Sequence, residues 1–213
     1  RMFFGLRTLE AYISHPNFQL IQDDIRYFDE KLLEGVDAVI DLAGISNDPA
    51  CDLNPEVTVS INHLGCVRVA KLAKKMGAGQ YVLASSCSIY GGGSSTKLTE
   101  DALKNPVSLY AKTKLKLEED ILSLGNKDFC VTILRNATVY GLSPRMRFDL
   151  VVNLMTMQAW KERKIHVLGG GKQWRPVVHI KDVAKAFLSI LESERGRVNG
   201  EVFNVGSNQQ NHQ

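Results

Sequence analysis

The sequence predicts a doubly wound α/β fold around a parallel sheet, and three observations carry that expectation. Short apolar, β-branched runs alternate with segments of helix length along most of the chain. One run, Tyr81-Val-Leu-Ala-Ser-Ser86, is nearly all apolar, the pattern of a strand covered on both faces. The 213 residues are 44% hydrophobic and 23% charged, the balance of an ordinary globular protein with enough chain to bury a real core.

Taken in order, the first strand candidate is 18–21, and a stronger one is Val36-Asp-Ala-Val-Ile-Asp-Leu-Ala43. Residues 56–76 carry Val57, Ile61, Leu64, Val67, Leu72 and Met76 at near-helical spacing, with Gly77 as the stop. The third strand is 81–86, followed by a loop holding Gly91, Gly92 and Gly93. A long helix is expected over 108–124, ended by Gly125-Asn126, and a fourth strand over 129–136. Beyond it come a helix at 147–163, a strand at 176–180, a helix at 181–193 and a last strand at 202–205. The alternation is clean to about residue 140 and less regular after Tyr140-Gly141-Leu-Ser-Pro144. Two regions are therefore expected, 1–140 and 141–213, with elements at about 176–206 returning to the core of the first.

Charge and composition exclude several classes. The net charge of +3 is small and spread along the chain. Lys112, Lys114 and Lys116 alternate with Thr113 and Leu115 and run into Glu118 and Glu119, a solvated helix face rather than a nucleic-acid stripe. No apolar run approaches the roughly 18 residues of a membrane span, and no signal-peptide pattern is present. Neither nucleic acid nor membrane is an expected partner. Cys51, Cys66, Cys87 and Cys130 are scattered without metal spacing and read as buried thiols in a reducing compartment, the cytoplasm. The five histidines form no metal pattern, so no metal is expected.

The chemistry gathers at Ser86, Tyr110 and Lys114. Tyr110 and Lys114 are four apart on a predicted helix and share a face. A free tyrosine has a pKa of about 10, which a neighbouring lysine cation could lower by roughly 1 to 3. The phenol could then exchange a hydroxyl proton near neutral pH. Ser86 ends a buried strand, where open α/β sheets place ligands. A second Tyr-x-x-x-Lys, Tyr27 with Lys31, has no strand-end serine upstream and reads as a surface coincidence.

Ala84-Ser-Ser-Cys-Ser-Ile-Tyr-Gly91, Tyr110-Ala-Lys-Thr-Lys114 and Leu134-Arg-Asn-Ala-Thr-Val-Tyr-Gly141, in that order, resemble the extended short-chain dehydrogenases that act on nucleotide sugars. The resemblance spans about 17–206. It implies a Rossmann-like sheet, a partial dinucleotide-binding domain over 1–140 and a small substrate-binding region over 141–213. It implies Tyr110 as acid/base, Lys114 lowering its pKa and holding the cofactor ribose, and Ser86 binding the sugar at its reacting carbon. NAD is the implied cofactor, with NADP not excluded. Asp24 and Ile25 would meet the adenine, Leu42, Ala43 and Gly44 the cofactor at a strand end, and Asn62 would stand on the next helix. Ala137 and Val139 would flank the nicotinamide with Thr138 beside the substrate. Asp149 would lie near the nucleotide and Arg175 would hold the diphosphate, for which an arginine fork is suited.

Departures from the pattern shape the expectation. The Gly-x-x-Gly-x-x-Gly turn and the acidic or basic residue that ends the second strand are absent, so at least one N-terminal βαβ unit is expected to be missing, and dinucleotide binding by the chain alone to be poor. Asp41 stands where the family more often has histidine, and its side chain is expected to face solvent or a helix N-terminus. Where dehydratases of the family carry Asp-Glu, this chain has Cys87 and Ser88, which disfavours elimination of water. The expected activity is NAD-dependent nucleotide-sugar epimerisation. A nucleotide-sugar 4-ketoreductase is the alternative, and a non-catalytic dinucleotide-sensing or scaffold module the alternative of another class. The resemblance also implies a homodimer built from the helices at 56–76 and 108–124.

Overall fold

The computed structural model describes residues 6–91, 98–171, 174–206 and 211–212. Strand β1, Ala38–Asp41, leads to helix α1, Asp48–Leu53, and helix α2, Pro55–Val59. Asn47 and Asn54 cap these two short helices by accepting from Ala50 N and Val57 N. A π-helical turn, Ser60–Gly65, joins α2 to α3, Cys66–Lys75. Strand β2, Gln80–Ser86, runs into a 3-10 turn at Cys87–Tyr90, and helix α4 covers Leu109–Leu122. Then follow β3, Cys130–Asn136, β4, Thr138–Tyr140, and α5, Val151–Glu162. The last elements are β5, Arg175–His179, α6, Ile180–Glu192, α7, Arg195–Val198, β6, Glu201–Val205, and β7, Asn211–His212.

The main sheet has the order β1-β2-β3-β6, every neighbouring pair parallel. Alternation along its strands feeds two cores. Tyr81, Leu83, Val131 and Ile133 pack with Ala70 and Ala73 of α3 and Leu117 and Ile121 of α4. Val82, Cys130 and Leu134 point the other way, onto Val183, Phe187 and Ile190 of α6. Helices on both faces of a parallel sheet make the doubly wound α/β arrangement that the sequence predicts. In register, Ser86 lies beside Asn136 and Asn136 beside Val205, so β2, β3 and β6 finish level at one end of the sheet. A second sheet, β4-β5-β7, pairs β4 with β5 in parallel and β5 with β7 antiparallel.

Several expectations are corrected. Residues 18–21 form no strand: Phe18 N bonds to His15 O, a turn contact, and Phe18, Leu20 and Ile21 stay exposed beside no ladder partner among the described residues. The strand expected over 36–43 shortens to Ala38–Asp41, because Ala43 N turns back to the side chain of Asp41. The single helix expected over 56–76 is interrupted by the π turn. The helix expected from 147 begins at Val151, since residues 147–149 bond across to another loop. Strands β4 and β7 and helix α1 had no counterpart in the periodicity, being too short to show one. Gly92 and Gly93 lie outside the described residues. The four cysteines are free thiols, three of them buried and Cys87 less so. Among the described residues no helix is long and apolar enough to cross a membrane, and no cluster of His, Cys, Asp and Glu could hold a metal ion.

Candidate active site

Ser86 is the last residue of β2, and its extended backbone makes it the cap of the following 3-10 turn, where its Oγ accepts from Ser88 N at 3.2 Å. Tyr110 stands in the first turn of α4, whose start is set by Ser108 Oγ accepting from Ala111 N at 3.2 Å. That cap sets the phenol near the end of β2, where the Ser86 hydroxyl is close enough to draw its pKa down. One turn on, Lys114 is only 4% exposed, and its Nζ donates to Ala84 O at 2.9 Å. The structure thus brings Ser86, Tyr110 and Lys114 together at the C-terminal edge of the sheet. Tyr27 is 73% exposed in a turn, as a coincidental motif should be.

Two details depart from expectation. Lys112 and Lys116 are solvated, but Lys114 is not, its charge being taken up by the Ala84 carbonyl. The Tyr110 phenol lies above its ordinary pKa rather than below it. Burial raises it, while the Ser86 hydroxyl and, further down the scale, the Arg147 charge pull it back. The leading downward pull expected of Lys114 thus comes from Ser86.

The loop after β1 forms the neighbouring wall. Asp41 does not face solvent or a helix: it is buried, accepts from Tyr81 OH at 2.5 Å and takes Ala43 N at 2.8 Å. The cost of burying a carboxylate is offset by those two donors. Tyr81 is itself held well above the usual phenol pKa, by burial first and the Asp41 charge second, so it stays a donor. Leu42 is exposed, and Gly44 turns the chain with φ of +149°. Asn62 is fully buried and grips Ile45 at both ends, accepting from its N at 2.7 Å and donating to its O at 2.8 Å. A Cβ on Gly44 would sit 3.2 Å from Asn62 Oδ1 and 3.8 Å from Lys114 Nζ, so this turn lies between the asparagine and the lysine.

The other expected residues are distributed as follows. Asp24 is tied to Arg26, which donates from Nε at 2.9 Å and Nη2 at 2.6 Å and holds the carboxyl at about 2. Ile25 packs against the π turn, where Gly65 leaves room: a Cβ there would meet Ile25 Cδ1 at 2.9 Å. Asp24 and Ile25 line one shallow cleft of about 270 Å³ with Ile21, Phe28 and Val69. Ala137 is buried and bonds through its N to Val205 O, and Thr138 and Val139 open the second sheet directly after it. Asp149 bonds to Asn47 Nδ2 at 3.1 Å and to Arg147, which holds its carboxyl at about 2. Arg175 begins β5, two residues before the register partner of Thr138, and is exposed. A larger cleft of about 500 Å³ lies between α6 and β6, lined by Leu134, Asp182, Phe203 and Gly206 and by none of the three central residues.

Sequence reading missed Arg147. Its Nη1 donates to Ser46 Oγ at 2.6 Å, which carries a cation from the irregular stretch after Gly141 to the loop after β1 and within electrostatic reach of Tyr110. The Arg-x-Asp spacing of Arg147 and Asp149 was the available signal.

Known proteins resemble this arrangement. The chain is 27% identical over 209 residues to dTDP-D-glucose 4,6-dehydratase of Mus musculus, covering 96% of this chain and 58% of that protein. It is 31% identical over 197 residues to UDP-glucuronate 4-epimerase of Thermodesulfobacterium geofontis, covering 89% and 58%. The crystal structure of UDP-glucuronic acid 4-epimerase from Bacillus cereus in complex with UDP-glucuronic acid and NAD superposes with a TM-score of 0.81 at 30% identity, over 95% of this chain and 63% of that one. The chain therefore spans about six-tenths of the length of these relatives. The family model of the NAD dependent epimerase/dehydratase family matches residues 10–206, and the chain belongs to that family.

Proposed function

We propose that this chain carries the catalytic core of an NAD-dependent nucleotide-sugar epimerase. The observation that carries the reading is the meeting of the Tyr110 phenol with the Ser86 hydroxyl beside an uncharged Cys87. Burial pushes the Cys87 thiol up to about 12, and it donates to Arg135 O at 3.3 Å. A neutral thiol and the hydroxyl of Ser88 offer no carboxylate pair for removing water, which favours epimerisation over dehydration.

The residues present suit the nicotinamide end of a dinucleotide. Gly44 leaves a hollow that a Cβ would fill, bounded by Asn62 and Lys114, just beyond the end of β1 at Asp41. Lys114 would hold the ribose, and Ala137 and Val139 would flank the ring. Bound NAD would accept a hydride from the sugar carbon and return it. Ser86 would orient the sugar hydroxyl, and Tyr110 would take its proton and give it back. In this reading 1–140 serves the cofactor and 141–213 the nucleotide sugar, with Thr138, Asp149 and Arg175 on the substrate side. Asp24 and Ile25 would serve the adenine.

The full-length protein is assayed against a panel of nucleotide sugars with and without NAD(H) or NADPH, products being followed by mass spectrometry and NMR. An isomer of unchanged mass supports the proposal. A gain of two hydrogens that requires reduced cofactor replaces it with the 4-ketoreductase. Loss of water overturns the reading of Cys87 and Ser88, and no turnover with no dinucleotide binding leaves a non-catalytic module. Pairing of two copies through the helical segments at 56–76 and 108–124 belongs to the same proposal, supported by Leu64, which is 57% exposed on the π turn. Light scattering that gives a monomer at high concentration removes that part.

A further inference from the structure

Glu118 and Arg135 lie outside every role assigned so far, yet they form the most buried ion pair among the described residues, 2% and 4% exposed. Arg135 donates from Nη2 to Glu118 Oε2 at 2.7 Å and from Nε to both carboxylate oxygens at 3.1 Å. Glu118 also accepts from Ser85 Oγ. On α4, Tyr110, Lys114 and Glu118 follow one another at intervals of four and so lie along one face of the helix. Between them they face three consecutive residues at the end of β2, in the order 86, 84 and 85 along the helix. Lys114 bonds to Ala84 O and Glu118 accepts from Ser85 Oγ, while the Ser86 hydroxyl acts on the Tyr110 phenol. Arg135, the register partner of Ser85, ties the middle contact to β3.

Its free edge is also used: Nη1 donates to Tyr90 OH and Glu100 O, both at 2.8 Å. Tyr90 OH reaches Asn204 Oδ1 at 2.8 Å, and Glu100 accepts Asn204 N at 2.7 Å. One polar chain therefore crosses from α4 through β2 and β3 to β6 at the level of the site.

We infer that the Glu118–Arg135 pair, with Ser85, is a positioning device that sets how far α4 slides along β2, and so whether Tyr110 meets Ser86. The inference deepens the proposed function and rests on it only for the turnover readout. A buried ion pair is a weak source of stability, since similar apolar side chains hold a core equally well, whereas its fixed fork geometry specifies a register. Apolar replacements of both residues remove the fork and one charge of each sign together, leaving the net charge at the site unchanged.

The test is Glu118→Met with Arg135→Met in the full-length protein, measured beside the parent. Tyrosine is labelled at Cζ with carbon-13, the Tyr110 signal being assigned by Tyr110→Phe, and its titration is followed by NMR. The expected result is a retained or raised melting temperature together with a Tyr110 midpoint moved upward, because the Ser86 hydroxyl that lowers it is no longer held beside the phenol. With the substrate found above, kcat should fall by about 100-fold while KM stays within about twofold, as for a misplacement near 1 Å. A folded double variant with the parent's Tyr110 titration overturns the inference, and so does a lower melting temperature with kcat unchanged, which is the signature of a purely structural pair. If the double variant does not fold, Ser85→Ala, which breaks the middle contact alone, is subject to the same two outcomes on a smaller scale. The titration needs no substrate, so absence of turnover in the parent would sink the proposed function and leave this test intact.

Discussion

The stretch from β2 to β3 and the stretch from Gly141 to Gly171 are built on different principles. In the first, Val82, Leu83, Leu117, Val131 and Ile133 are fully excluded from water, and the buried polar groups Lys114, Glu118 and Arg135 all have partners. In the second, α5 buries only Asn153, Trp160 is 75% exposed, and the named polar contacts are short-range or bridge to the loop after β1. The proposed reacting groups stand on the closed part, which can hold them to a fraction of an ångström. Asp149, placed on the substrate side in the proposed function, stands on the open part with its partner Arg147.

Breaking the chemistry of the closed region without touching its packing should have the largest effect. Tyr110→Phe is expected to lower kcat by about 1,000-fold with an unchanged thermal melt, because only the proton-carrying oxygen is lost. Next comes the packing itself. Leu117→Ala should cost about 3 kcal/mol in urea unfolding, while Trp160→Ala on the open region should change stability by no more than about 0.5 kcal/mol. Equal effects at the two positions would erase the contrast. Gly91 joins the site to the segment that follows: its φ is +65°, and a Cβ would lie 2.1 Å from Asn105 O. Gly91→Ala should therefore cost about 2 kcal/mol, through backbone strain and displacement of the Asn105 carbonyl.

The smallest effect belongs to Asp149, whose carboxyl Arg147 holds at about 2 against an ordinary 3.8. A carboxyl depressed in the folded state stabilises fully above its unfolded value and loses that contribution as pH falls. Asp149→Asn should thus lower stability by about 0.5 kcal/mol at pH 6, the partial exposure of the pair screening the rest. The difference from the parent should shrink below pH 4 and vanish near pH 2 in acid-unfolding curves.

The same contrast decides what could be read from the sequence. β2, β3 and α4 announce themselves because burial on both faces leaves continuous apolar runs and a long periodic helix, and with them came Ser86, Tyr110 and Lys114. Lys114 also misled: three alternating lysines look solvated, and nothing in the pattern says that a carbonyl of β2 will receive the middle one. The role of Glu118 was visible as a third member of the four-residue spacing, but a charge on a charged helix reads as surface until its arginine is located. Arg147 and Asp149 lie in a stretch without period, where only folding shows which loop they reach. The broken helix at 56–76 escaped for another reason. Its apolar spacing fits an unbroken helix, yet Asn62 is the residue turned inward and Leu64 the one turned out, because the two hydrogen bonds to Ile45 outweigh burial of one leucine.

That π turn has a bearing on how relatives should be compared. A wide turn holds one residue more than an α-helical path through the same space, and each residue of an α-helix corresponds to about 100° of rotation. A one-residue gap placed between Ser60 and Gly65 when this chain is aligned with another is therefore a physical event rather than noise. It marks a relative whose helix runs straight, whose inward-facing residue is one position away, and whose loop after the first strand must be fastened by something other than an asparagine at this place.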